Sequence, residues 1–131
     1  MTMKSIEDQL LSCMINLSGN TADDDTIIIE TTFSYPATFS GFAGHFEGNP
    51  VLPAIVQLSS VRFALEQHIG KKLHPETIQR AKFRSMVQPE QQIRINLKVT
   101  CENDRYKARF KILGSDTKLI SDGICSYSER H

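Results

Sequence analysis

The sequence predicts an α+β domain in which an antiparallel sheet wraps around one long buried helix. Three observations carry this. The stretch 53–69 is apolar on nearly every side, and a helix that is apolar all round is buried, not laid on a surface. Four strand-like stretches then follow with no helix between them, so the crossovers a parallel sheet needs are missing. The joints Asn103-Asp104 and Gly114-Ser115-Asp116 have the composition of tight antiparallel turns.

Taken in order, Ser5 opens a helix expected over 5–17. Ile6, Leu10, Met14 and Leu17 form its stripe, Leu11 and Ile15 widen it, and Ser18-Gly19-Asn20 should end it. Asp23-Asp24-Asp25 reads as a solvated turn, because three adjacent carboxylates on an extended loop point different ways and do not cage a hard cation. Thr26 to Tyr35 is β-branched and aromatic, hence a strand, although Ile27, Ile28 and Ile29 interrupt its alternation. Pro36 ends it. Phe39, Phe42 and Phe46 then carry a glycine-bearing loop forward, as core anchors or as the lining for an apolar ligand.

The chain is organised around what comes next, Gly44 to Ser59. Pro50 and Pro53 bar a helix across residues 49–52, since each removes an amide N–H and restricts the residue before it. Pro53 itself suits the start of a helix, which runs to Ile69 and stops at Gly70. One histidine, His45, therefore sits in a tight loop feeding the N-terminus of a buried helix. Lys71 to Pro75 reads as a polar turn. The four strands are expected at Ile78 to Val87, Gln92 to Glu102, Tyr106 to Leu113 and Leu119 to Ser128; the second alternates strictly between polar and apolar residues over Gln92 to Val99.

Composition limits function. At 131 residues a single domain over 1–131 is expected. Fifteen basic and fifteen acidic side chains balance, giving no electrostatic reason to expect nucleic acid or an anionic membrane as partner. Cys13, Cys101 and Cys125 are odd in number and scattered, so neither a disulfide framework nor a metal site is expected, and no cofactor is implied. The N-terminal stretch lacks the pattern of a signal peptide or membrane span, which makes the cytoplasm the expected compartment.

His45, Phe46, Gly48, Pro50, Val51 and Pro53 resemble, at matching spacing, the His-Phe-x-Gly-x-Pro-apolar-x-Pro signature of the hot-dog-fold hydroxyacyl-ACP dehydratases, the FabZ/FabA type. Ala81-Lys82-Phe83-Arg84 and Val87-Gln88-Pro89 resemble the next strand of that family, and Pro-Val-Leu-Pro-x-x-Val-Gln-Leu is similar to its ApeI-like branch, which serves aryl-polyene and other specialised acyl chains. The likeness spans residues 33–100. It implies a hot-dog fold, a 3-hydroxyacyl thioester on acyl carrier protein or coenzyme A as substrate, and a homodimer in which the helix of one protomer completes the partner's pocket. The family's carboxylate lies fourteen residues after its histidine, where this chain has Ser59, and the glycine after the second proline is Ala54.

Dehydration needs a base near neutral pKa, for which His45 is the candidate. It needs donors for the charge growing on the thioester oxygen; resemblance assigns this to the first-turn amides at Ala54 and Ile55. It needs a proton for the departing hydroxyl, which Ser59 does not supply as an acid. Glu47 is the nearest substitute acid in sequence, whereas Glu66 lies about 10 Å further along the helix. An acid-supplying partner subunit in a heterodimer is the other source. Phe42, Phe46 and Val56 are expected to line the acyl tunnel, and Gln57 to hold a water or make a structural polar contact. Lys82 and Arg84 either face solvent or meet an acidic carrier protein or its phosphopantetheine phosphate. Loss of the acid also leaves two rivals: a non-catalytic acyl-thioester-binding protein and a thioesterase on the same fold.

Overall fold

The computed structural model describes residues 5–22, 24–42 and 51–130. Its elements are α1 (Ile6–Cys13), β1 (Met14–Thr21), β2 (Ile27–Ser34), a short 3-10 turn (Ser40–Phe42), α2 (Ala54–Ile69), β3 (Leu73–Phe83), β4 (Gln92–Glu102), β5 (Arg105–Gly114) and β6 (Leu119–Glu129). The strands form one six-stranded sheet in the order β1-β2-β4-β5-β6-β3, with every neighbouring pair antiparallel. This is the predicted α+β hot-dog architecture. Helix α2 lies on one face, where Val61, Phe63, Ala64 and Leu65 share a core with the inward residues of β4 and β5, from Ile93 and Ile95 to Phe110 and Ile112.

The N-terminal expectation is corrected. Only 6–13 is helical, with Ser5 Oγ accepting from the Asp8 amide at its start. From Met14 the backbone is extended, and β1 pairs with β2 from Met14↔Phe33 to Thr21↔Ile27. Asn16, Ser18, Gly19, Asn20 and Thr21 are poor helix formers, and the free edge of β2 offers them a ladder that a helix would forgo. Gly19 does not end a helix; a Cβ there would lie 2.5 Å from the His68 ring, so the missing side chain lets β1 pass over α2. His68 is accordingly half-buried, not a surface residue.

Strand β3 is also shifted. It begins at Leu73, inside the supposed polar turn, and ends at Phe83, short of Val87. Pro75 sits in it without penalty because β3 is the last strand of the sheet, and an edge strand tolerates a missing N–H. A bulge between Gln79 and Lys82, with Arg80 at φ 54°, bends it midway. The turn expectations hold at the other joints: Asn103 and Asp104 have φ 53° and 61°, the left-handed pair of a two-residue hairpin.

Candidate functional site

Helix α2 begins at Pro53, which caps it with extended geometry and no side-chain hydrogen bond. The Pro53 carbonyl accepts from the Val56 and Gln57 amides at 3.0 and 3.3 Å. The Ala54 and Ile55 amides find no acceptor among the described residues, so two N–H groups at the positive end of the helix stay available to an oxyanion. Ala54 has no positive φ. Its Cβ therefore brings no backbone strain to the place where the resembling family has glycine.

Ile55, Ser59 and Arg62 follow along one side of the helix and, with Ile78 and Tyr127, line a cleft of about 100 Å³ between α2 and the β3–β6 pair. Ligand pockets usually hold at least about 300 Å³. Among the described residues the cleft thus forms one wall of a site. Ile55 and Ile78 are 66% and 52% exposed at its lip, an apolar rim that further protein or an acyl chain would cover.

Ser59, at the position of the family acid, donates its hydroxyl to the Ile55 carbonyl at 2.9 Å. That bond ties the side chain back along its own helix. Only the oxygen lone pairs remain to face a ligand. Glu66 is unsuited as a substitute acid, because its carboxylate is buried and accepts the Leu73 amide at 2.8 Å, where it anchors the start of β3. Burial raises the Cys125 and Tyr127 groups above their ordinary pKa values. Both stay protonated at neutral pH, and Cys125 is no nucleophile.

Other predicted residues fall away from the cleft. Gln57 is buried, and its Oε1 accepts from Ser121 Oγ at 2.7 Å, pinning α2 to β6; this is the structural polar contact, not a water-holding one. Val56 is buried in the core. Phe42 packs edge-on to Phe39 at a centroid distance of 6.1 Å and acts as a core anchor. His45, Phe46 and Glu47 lie outside the described residues. Lys82 and Arg84 are exposed, and Arg84 Nη1 pairs with Asp122 Oδ1 at 2.9 Å. Arg62 and Tyr127 went unremarked in the sequence. The three-residue spacing from Ser59 to Arg62 was the signal for the first, whereas Tyr127 reaches the cleft only through the register of β6.

Comparison with known proteins bears on the family and the fold. A family described as ApeI-like, ApeI dehydratase, matches residues 20–124. The 3-hydroxyacyl-[acyl-carrier-protein] dehydratase FabZ of Lactobacillus helveticus is 35% identical over 71 residues, covering 49% of this chain and 47% of that protein. The chain thus spans about half the length of this curated relative. Among solved structures, the dehydratase heterocomplex ApeI:P from Xenorhabdus doucetiae superposes with a TM-score of 0.69 at 16% identity, covering 88% of this chain and 96% of that one. The fluoroacetyl-CoA thioesterase FlK does so with 0.67 at 12% identity, covering 79% and 85%. At such identities the two structures speak for the fold alone.

Proposed function

Because the chain belongs to the ApeI-like dehydratase family, we propose that it acts as a (3R)-hydroxyacyl thioester dehydratase on acyl chains carried by a protein or by coenzyme A. The observation that carries this reading is the start of α2, where the Ala54 and Ile55 amides have no acceptor among the described residues and Ile55 lines an apolar cleft. In this reading the thioester oxygen accepts from those amides. His45 removes the proton beside the carbonyl, and the enolate-like charge is held at the helix N-terminus. Hydroxide then leaves the next carbon and takes a proton.

That last proton divides the readings. A hydroxyl is far too weak an acid at neutral pH, so Ser59 does not donate it. The donor is Glu47 of the His45 loop or a carboxylic acid from a second subunit. A second subunit also suits the cleft, which among the described residues is a single wall bordered by the outer edge of β3, the last strand of the sheet. Assembly along that edge as a homodimer, or as a heterodimer whose partner brings the acid, would finish the pocket. A binding role without turnover is the second reading, favoured by Ser59 alone.

The test is enoyl formation from a 3-hydroxyacyl thioester, with free thiol followed in parallel. Turnover by wild type that falls by about 10²–10⁴ in His45→Ala supports the dehydratase. An inert wild type that gains activity on Ser59→Glu supports the binding reading or a missing partner. Release of thiol without enoyl product would instead make the protein a thioesterase.

A further inference from the structure

The cleft beside α2 has a charged end that the proposed dehydration steps do not use. Ile55 in the first turn of the helix, Ser59 one turn on and Arg62 in the turn after that all line it. The Leu73 amide on Glu66 Oε2 at 2.8 Å sets the start of β3, with Pro75 and its register partner Tyr127, beside the later turns of α2. Arg62 and Tyr127 therefore share the end of the cleft away from Pro53. Between the two ends the walls are mainly apolar, Leu58 and Ile78 among them. Arg62 is half-buried, and among the described residues its guanidinium makes no hydrogen bond or ion pair. Two carboxylates lie near it and both are engaged elsewhere. Glu66, one turn further along, holds the Leu73 amide, and Glu7 pairs with Lys72 at 2.9 Å. A guanidinium carries N–H donors and no acceptor, and setting it against an apolar wall without a partner costs free energy.

We propose that Arg62 is a specificity-determining residue, and that the acyl chain this cleft selects ends in a carboxylate. The inference rests on the dehydratase reading for the placement of the thioester oxygen at the Ala54 and Ile55 amides. From there the acyl chain runs along α2 toward Arg62, whereas the carrying arm leaves from the sulfur side of the carbonyl. Arg62 lies seven positions after Ile55, about 10 Å along the helix axis. Its side chain leans back toward the helix N-terminus, which shortens that span. At about 1.2 Å per bond of an extended chain, the carboxylate belongs about five to eight bonds beyond the thioester carbon. The planar fork of a guanidinium matches the two oxygens of a carboxylate. A carboxylic acid brought by a second subunit suits the place less well. A guanidinium beside it would hold it ionised, the wrong state for protonating the departing hydroxyl.

The experiment compares 3-hydroxysuberoyl and 3-hydroxyoctanoyl coenzyme A, equal in length and different only at the far end, as substrates for enoyl formation. In wild type, kcat/KM should favour the suberoyl chain by about tenfold or more, as expected for a hydrogen bond between charged groups. Arg62→Met should slow the suberoyl chain until the preference is gone and leave the octanoyl chain unchanged or faster, because methionine keeps the apolar packing. Arg62→Lys should keep part of the preference, since it retains the charge and loses the fork. A wild type that favours the octanoyl chain would overturn the proposal. So would equal losses on both chains in Arg62→Met, which would make Arg62 a structural counter-ion or a contact to the carrying arm. The wild-type comparison needs no variant, so a misfolded Arg62→Met does not remove the test. Calorimetric binding of suberoyl and octanoyl coenzyme A, which lack the 3-hydroxyl, separates this inference from the dehydratase reading. A contact remote from the reacting atoms should appear in binding. Tighter suberoyl binding that disappears in Arg62→Met, with neither hydroxyacyl chain turned over, keeps the carboxylate site and removes the dehydratase. Equal affinity for the two chains, with turnover of both, removes the carboxylate site and keeps the dehydratase.

Discussion

Four polar residues of α2 illustrate how one helix divides its side chains between structure and chemistry. Gln57, Ser60 and Glu66 are buried, and each meets a partner outside the helix: Ser121, Tyr35 and the Leu73 amide. Ser60 Oγ also lies 2.8 Å from the Val56 carbonyl, to which it donates, so the Tyr35 hydroxyl donates to Ser60. Burial keeps that phenol protonated. Ser59 alone points to the cleft. Glu66→Ala should therefore cost about 1–3 kcal/mol by leaving the Leu73 N–H unsatisfied. Glu66→Gln, which keeps an acceptor oxygen, should cost less. Urea denaturation midpoints check the order. Equal costs would mean that the lost packing, not the hydrogen bond, decides.

At the scale of elements, the joints carry the order. Helix α2 ends because Gly70 takes φ 73°, with its amide on the Glu66 carbonyl at 2.8 Å; this left-handed turn aims the chain into β3. Lys72 in that turn meets Glu7 of α1 at 2.9 Å and holds the short first helix against the body. The Lys72 ammonium lowers the Glu7 pKa from its ordinary 4.5. A lowered carboxylate contributes stability above its unfolded pKa and loses it as the pH falls through the folded value. Both partners are largely exposed, so Glu7→Gln should cost no more than about 1 kcal/mol near neutral pH. In acid strong enough to protonate Glu7 in the folded state as well, it should cost nothing. Unfolding curves at the two pH values check this, and a cost that persists in acid would assign Glu7 a role other than its charge.

For the whole molecule, the open question of assembly sits at β3. This eleven-residue strand ends the sheet with its outer edge unpaired among the described residues, and Ile78 stands exposed beside the cleft. Exposed strand edges invite a further chain. If the proposed dimer forms there, Ile78→Glu should shift light-scattering mass from dimer toward monomer and reduce turnover with it. In a monomer the same exposed substitution should stay within about 0.5 kcal/mol of wild-type stability and leave the mass unchanged. Either pattern is read from one experiment, and the second removes the β3 assembly.

Much of this fold is legible in the chain because local and global preferences agree. The strict alternation of Gln92 to Val99 lies in β4, which has the bounds expected for that strand, and the apolar run after Pro53 appears as α2. Turn chemistry at Asn103-Asp104 marks the β4–β5 hairpin. The motif around His45, with Ser59 in the acid position, also comes from residue order alone. Tertiary structure decided what depends on pairing partners distant in sequence. Residues 14–17 continue the helical stripe of the N-terminal stretch, yet the backbone ladder with β2 outweighs it. Leu73 to Pro75 look like a turn until β6 pairs with them. The cleft likewise exists only because β6 brings Tyr127 to Ser59 and Arg62. Periodicity specifies which side of an element is buried; only the assembled sheet specifies which residues meet.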